Sequence, residues 1–238
     1  MNEGTQIVEF FGIPFNVGNI VSGLVSAVIV FLVLFWLSRK IQMKPVGRQN
    51  VLEWVVDFTN GIIKNALPDE EGKQFGLLAF TLFVFIFISN QLGLIIELTF
   101  NGVEYVKSPT SSPLTTLTLA FMILVLSHYL GVKKFGFKGY FKNTFLSPMP
   151  ALLPISIFEQ FTNFITLALR LYGNIYAGEV LLTLIASLFK AFGWITLPLV
   201  IPIEMTWIGF SLFIGAIQAY VFVTLTMVFL NHKIAAEH

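Results

Sequence analysis

Long apolar runs dominate the sequence and limit the folds open to it. Residues 20–37 carry no charge, and comparable runs with few charges cover 75–96, 114–130, 155–190 and 198–230. A helix of about 20 such residues crosses the hydrocarbon core of a bilayer. In lipid, only helices and closed barrels satisfy their own backbone polar groups. Barrel strands would alternate apolar and polar positions over about ten residues, whereas these runs are continuous. The expected fold is therefore an all-α polytopic membrane protein. Composition agrees, with 56% hydrophobic and 11% charged residues and a mean hydropathy of +0.82. The whole chain, 1–238, reads as one integral membrane domain.

The segment NVLEWVVDFTNGIIKNAL, residues 50–67, is different. Val51, Leu52, Val55, Val56, Ile62, Ile63 and Leu67 recur at roughly helical spacing, with Glu53, Asp57 and Lys64 between them. It is too charged to span and too apolar for a linker, which points to an amphipathic helix at the membrane surface, the alternative being a soluble helix packed on another subunit. Five membrane-crossing helices plus this surface helix account for the chain. The last two, at 155–190 and 198–230, exceed the length of a perpendicular span and should be tilted or curved. ELTFNGVEYVKSPTSSP, between the second and third spans, reads as a loop.

Charge distribution sets the orientation. With the N-terminus outside, the inside segments hold Arg39, Lys40, Lys44, Arg48, Lys64, Lys73, Lys133, Lys134, Lys138, Lys142 and Lys233. The outside segments hold only Lys107 and Lys190. This is a strong positive-inside bias and puts the C-terminus in the cytoplasm. The N-terminal stretch MNEGTQIVEFFG has two acids and no basic residue, unlike the n-region of a secretory signal. The absence of cysteine excludes disulfides, thiolate metal sites and cysteine nucleophiles. A net charge of +1 suggests no nucleic-acid partner. Nothing in the sequence calls for a cofactor or a metal.

The fourth span contains LALRLYGNIYAGEV, residues 167–180, with Arg170 and Glu179 among apolar neighbours. A mid-membrane arginine costs about 2.5 to 3.5 kcal/mol on insertion scales. It cannot give up its proton, so it acts only as a fixed cation. At 100° per residue Glu159, Asn163, Thr166, Arg170 and Asn174 fall near one face. Glu179 lies on the far side and about 13.5 Å along the axis, while Glu159 lies about 16.5 Å toward the cytoplasm. One acid thus lies toward each side of the membrane, with a cation between. On the last helix Glu204, Ser211 and Gln218 recur every seven residues, and Leu225 ends the stripe. Gly209, Gly215, Ala216 and Ala219 leave room for close helix contact. Asn90 and Gln91 read as helix-packing groups, with the lining of a pathway as the alternative, His128 and Tyr129 as interfacial anchors, and His232 and His238 as tail residues.

LALRLYGNIYAGEVLLTLI closely resembles the signature of subunit a of the F-type rotary ATP synthases. SNQLGL after an apolar run, SPTSSPLTTLTLAF opening the next span, and IGAIQAYVFVTLTMVFL before a short tail resemble the same family in the same order. The resemblance covers nearly all of the chain from residue 20. It implies that Arg170 is the essential arginine facing the ion-carrying carboxylates of the c-ring. Asn174 and Glu179 then belong to the half-channel open to the outside, Glu159, with Asn163 on its face, to the cytoplasmic half-channel, and Gln218 to the neighbourhood of the arginine. Where some members carry a histidine on the last helix, this chain has Ser211, and Glu204 is a candidate substitute acid for Glu179. The implied partners are the c-ring, the b subunits of the peripheral stalk, the remaining ATP synthase subunits and the lipid bilayer. The YAGE form, unlike the plastid-like LADE form, suggests a bacterial cell membrane. With no GxxxxGK[ST] loop the chain is expected to be an ion-translocating, non-catalytic subunit. A stand-alone secondary transporter or antiporter is the competing class, though internal repeats and paired broken spans are missing. A structural scaffold would leave the buried charges without a purpose.

Overall fold

The computed structural model describes residues 7–10, 13–39, 41–67, 69–95, 98–100, 103–106, 108–146 and 149–234. Among them are five helices long and apolar enough to cross a membrane. These are α1 (Val17–Ser38), α4 (Gly76–Ile95), α5 (Pro113–Phe141), α6 (Leu153–Phe192) and α7 (Leu197–Ile234). The surface helix is α2 (Arg48–Ala66), followed by a single turn, α3 (Asp69–Gly72). The membrane-spanning fold is all-α, as the apolar runs require. His238, Lys40 and Lys107 lie outside the described residues.

Three features depart from the expectations. First, α5 continues well past residue 130. The basic cluster there ends the apolar run but not the helix, because lysine is a good helix former. The helix bends at Gly136, whose φ of 71° suits glycine. Second, two small antiparallel hairpins occur outside the spans. β1 (Ile7–Phe10) pairs with β2 (Ile13–Asn16), and β3 (Leu98–Phe100) pairs with β4 (Val103–Val106) within the segment read as a loop. The Asn-Gly pair at 101–102, between two β-prone runs, was the available hairpin signal. Third, the apolar face of α2 is split. Ile62, Ile63 and Leu67 are buried in the core, whereas Val51 and Val56 are exposed. The C-terminal half of α2 is held against the bundle, and Phe58 meets Phe83 of α4 and Tyr220 of α7.

The core forms where α4, α5, α6 and α7 meet. On α7 the residues Ser211, Gly215, Ala219, Val223 and Met227 are all buried. Their spacing of four makes one continuous ridge, and its first members are small enough for neighbouring backbones to approach. Ala79, Ala120 and Ala168 supply matching small surfaces, each essentially inaccessible, on α4, α5 and α6. Phe222, Ile86, Ile123 and Leu171 fill the space between.

The motifs SNQLGL and SPTSSP turn out to lock together. Asn90 donates to the Gly215 carbonyl on α7 at 3.0 Å and accepts from the Thr110 hydroxyl at 2.8 Å. Ser108 donates to the Ser89 carbonyl at 2.9 Å, and Gln91 donates to the Leu212 carbonyl at 3.2 Å. Asn19 of α1 reaches the Ser112 hydroxyl at 2.9 Å. This polar clamp ties α1, α4 and the start of α5 to α7, and it fixes the height of α7 against the rest of the bundle.

Candidate functional site

A glycine at φ 65°, Gly193, lies between α6 and α7, so the chain reverses and the two helices run antiparallel. Their register is fixed by a close crossing. The indole of Trp207 donates to the Gly178 carbonyl at 3.3 Å, and a Cβ on Gly178 would lie 3.7 Å from the Ser211 hydroxyl. From this crossing, eight residues back along α6 is Arg170, and eight residues on along α7 is the level of residues 215–219. Continuing to Glu159 on α6 leads to residues 226–230 on α7. The structure bears this out, because Glu159 shares a cavity with Phe229, His232 and Lys233. Interpolation between the two contact points therefore puts Arg170 and Gln218 at the same depth, within about one helical turn.

Two separate cavities flank that depth. The first, about 40 Å³, is lined by Glu159 and Asn163 of α6, with Ser127 of α5, Gln160, and His232 and Lys233 of α7. The second, about 60 Å³, is lined by Asn174, Gly178 and Glu179 of α6 and by Trp207, Phe210 and Ser211 of α7. Each has room for water, which needs about 10–15 Å³ and two or more polar partners. Glu159 and Glu179 are twenty residues apart, which is about 30 Å of helix and matches the thickness of the hydrocarbon core. Arg170 lies between the two cavities along α6 and lines neither.

Arg170 is exposed, while its neighbours Leu167, Ala168 and Leu171 are buried in the core. The guanidinium therefore leaves the bundle on the outer face of α6. Among the described residues it makes no hydrogen bond and no ion pair. Of the five long apolar helices, α6 is the least buried, with 11% of its most apolar window inside the protein. The helix that carries the costly cation is thus the one most open to something beyond this chain.

The predicted site residues divide accordingly. Glu159 with Asn163, and Asn174 with Glu179 and Ser211, are brought together in two groups. Gln218 is buried but lines neither cavity, and Glu204 is only partly buried and does not line the cavity that holds Glu179. Sequence reasoning missed Trp207, His232 and Lys233. Trp207 had a signal, since it lies one turn before Ser211 and an indole N–H in an apolar setting needs an acceptor. His232 and Lys233 had none, because only the packing of the end of α7 against α6 and the middle of α5 brings them to Glu159. His128, read as an interfacial anchor, also has contacts within the bundle. Its ring packs on Tyr140 with centroids 5.8 Å apart, and Nδ1 lies 2.9 Å from the Leu124 carbonyl.

A family model described as ATP synthase A chain matches residues 20–231. A protein of Pediococcus pentosaceus named ATP synthase subunit a is 52% identical over 235 residues, covering 99% of both chains. Proteins of the same name from Enterococcus hirae and Limosilactobacillus fermentum are 56% and 53% identical, covering 90% and 96% of this chain and 90% and 97% of their own lengths.

Proposed function

The chain belongs to the ATP synthase A chain family, and from that premise we propose that it is the stator half of a rotary proton channel. It sits as a multi-pass protein in a bacterial plasma membrane, with its N-terminus outside and its C-terminus in the cytoplasm. The partners are a rotating c-ring that presents buried carboxylates, the b subunits of the peripheral stalk, and the remaining subunits of the synthase. Nucleotide chemistry takes place elsewhere in that complex.

The observation that carries the reading is the placement of Arg170 between two separate cavities, each lined in part by a glutamate, on the open face of α6. In the proposed cycle a proton enters one cavity and neutralises a ring carboxylate. Only the neutral carboxyl can rotate through lipid at low cost. When it returns to Arg170, the fixed cation favours its ionised form, and the proton leaves through the other cavity. The same cation keeps protons from passing directly between the cavities. Glu179 and Asn174, with Ser211, serve the outer half-channel, and Glu159 and Asn163 serve the inner one. Gln218, buried on α7 level with Arg170, places a neutral amide rather than a charge at that depth and so leaves the charge of the exposed guanidinium uncancelled. Glu204 has no place in the outer cavity and is at most an entrance group. A 100 mV potential supplies about 2.3 kcal/mol per proton, so several protons must be coupled to each ATP. Membership of the family weighs against a stand-alone transporter.

The test is Arg170→Ala in the assembled complex. ATP-driven acidification of inverted membrane vesicles should be lost while the complex still assembles, because an exposed side chain is removed and no core contact. Pumping at the parent rate would overturn the proposal.

A further inference from the structure

A large apolar groove lies away from both proposed half-channels. It is about 830 Å³ and is enclosed by α1, α2, α4 and α7. Every lining side chain is apolar or aromatic. It extends from Phe80 to Ile88 on α4 and from Ala216 to Tyr220 on α7, with Leu37 and Val55 closing the α1 and α2 sides. Eight residues of helix are about 12 Å, close to half of a hydrocarbon core about 30 Å thick. The groove is therefore one leaflet deep. A partner's transmembrane helix would need a groove about twice as long, whereas an acyl chain fits this depth.

A basic stretch of sequence follows directly on the α1 wall of the groove, two residues beyond the lining residue Leu37. Arg39, Lys40, Lys44 and Arg48 fall within ten residues, directly after α1. Four basic residues immediately beyond a transmembrane helix are a recognised feature of anionic-lipid binding. Here the segment 42–49, which bears Lys44 and Arg48, is held in place. Gln49 is buried and bridges the backbone of Gln42 with two hydrogen bonds of 2.8 Å, one in each direction. The Arg48 guanidinium stacks 4.1 Å over the ring of Trp36, next to Leu37 at the groove wall. Arg39 and Lys44 are exposed, so their charges remain available. Trp54 stands exposed at the rim, a position at which tryptophan favours the headgroup level.

We propose that this groove is a binding site for an anionic phospholipid of the cytoplasmic leaflet, with acyl chain against α4 and α7 and phosphate at the basic loop. The leaflet assignment rests on the orientation given above. The lipid would pack against Ala216 and Tyr220, on either side of Gln218, and so support α7 from behind.

The experiment uses the whole complex in phosphatidylcholine nanodiscs doped with photoactivatable phosphatidylglycerol or, separately, photoactivatable phosphatidylcholine. Crosslinked peptides are read by mass spectrometry. The phosphatidylglycerol probe should label the groove at least about fivefold more than the phosphatidylcholine probe, since one basic side chain near the surface is worth roughly that factor. The excess should vanish in Arg39→Gln/Lys44→Gln, and Lys44→Glu alone should reduce it. Equal labelling by the two probes would overturn the proposal, because the groove would then hold only bulk lipid. So would crosslinks that join the groove to a helix of another subunit. Arg170→Ala should label like the parent, so failure of the channel reading and failure of the lipid site give different results.

Discussion

Gly178 offers a direct way to ask whether the outer cavity conducts. A methyl group there would reach 3.7 Å from the Ser211 hydroxyl, an ordinary contact. Gly178→Ala should therefore fit and, with glycine's helix penalty removed, leave stability unchanged or raise it by up to about 1 kcal/mol. Gly178→Leu adds three further carbons. They must enter the cavity of about 60 Å³ between Asn174, Glu179 and Ser211, or push α7 away. The first outcome displaces water from the pathway. The second breaks the 3.3 Å bond from Trp207 to the Gly178 carbonyl and costs about 1–3 kcal/mol of overpacking. Either way, ATP-driven acidification of inverted vesicles should fall at least tenfold for the leucine variant, equivalent to about 1.4 kcal/mol on the barrier, and stay near the parent rate for alanine. Thermal denaturation of the purified complex separates the two routes, because plugging alone leaves the midpoint in place. A leucine variant that assembles and pumps at the parent rate would refute the assignment of this cavity to the proton path.

Glu159→Gln and Glu179→Gln should each slow proton flow in vesicle assays, since in the proposed mechanism each acid serves access from one side only; parent rates in both would undo the two-cavity reading. Gln218→Leu should weaken coupling of ATP hydrolysis to pumping moderately, while Gln218→Glu should be worse, because a carboxylate level with Arg170 would compete for it; the opposite ranking in paired ATPase and pumping assays would count against the shared depth of the two residues. Asn90→Leu should lower the stability of the complex by about 1–3 kcal/mol in a denaturation series, as the link to Gly215 and Thr110 is lost and interhelical bonds in lipid contribute about 0.6 to 1.7 kcal/mol each.

How much of this was legible beforehand depended on whether the cause was local. The five spans were legible because lipid leaves the backbone no choice but to satisfy itself. The two acids on either side of Arg170 were legible because helical rise is fixed. The cavity that Glu159 shares with His232 and Lys233 was not, since it depends on how α5, α6 and the end of α7 pack against one another. The role of SNQLGL and SPTSSP was visible as motifs but not as a mutual clamp. Each half supplies donors whose acceptors sit on the other or on α7, and no single-segment pattern encodes that. The extension of α5 past residue 130 was missed because hydropathy reports the edge of the lipid, not the end of a helix. The extra helix carries Tyr140 back against Gly131, where a Cβ would collide with the ring.

The position of Arg170 makes sense as an incompleteness. A chain that needed only to be stable would pair a mid-membrane guanidinium internally, because the unpaired group is costly in lipid. Two acids are available on the same helix, yet the helix spaces them about 13.5 and 16.5 Å away along its axis, beyond any hydrogen bond. The neutral Gln218 is the polar group at the arginine's level on α7, and neighbouring residues of α6 use their buried face for packing and leave Arg170 outside. A permanent internal partner would have made a stronger monomer and a poorer stator, since a guanidinium already neutralised has little pull on a carboxyl that must be made to release its proton. In the proposed mechanism the missing counter-charge arrives and departs with each step of the ring, and the binding energy withheld from the fold becomes the force that ionises each passing carboxyl.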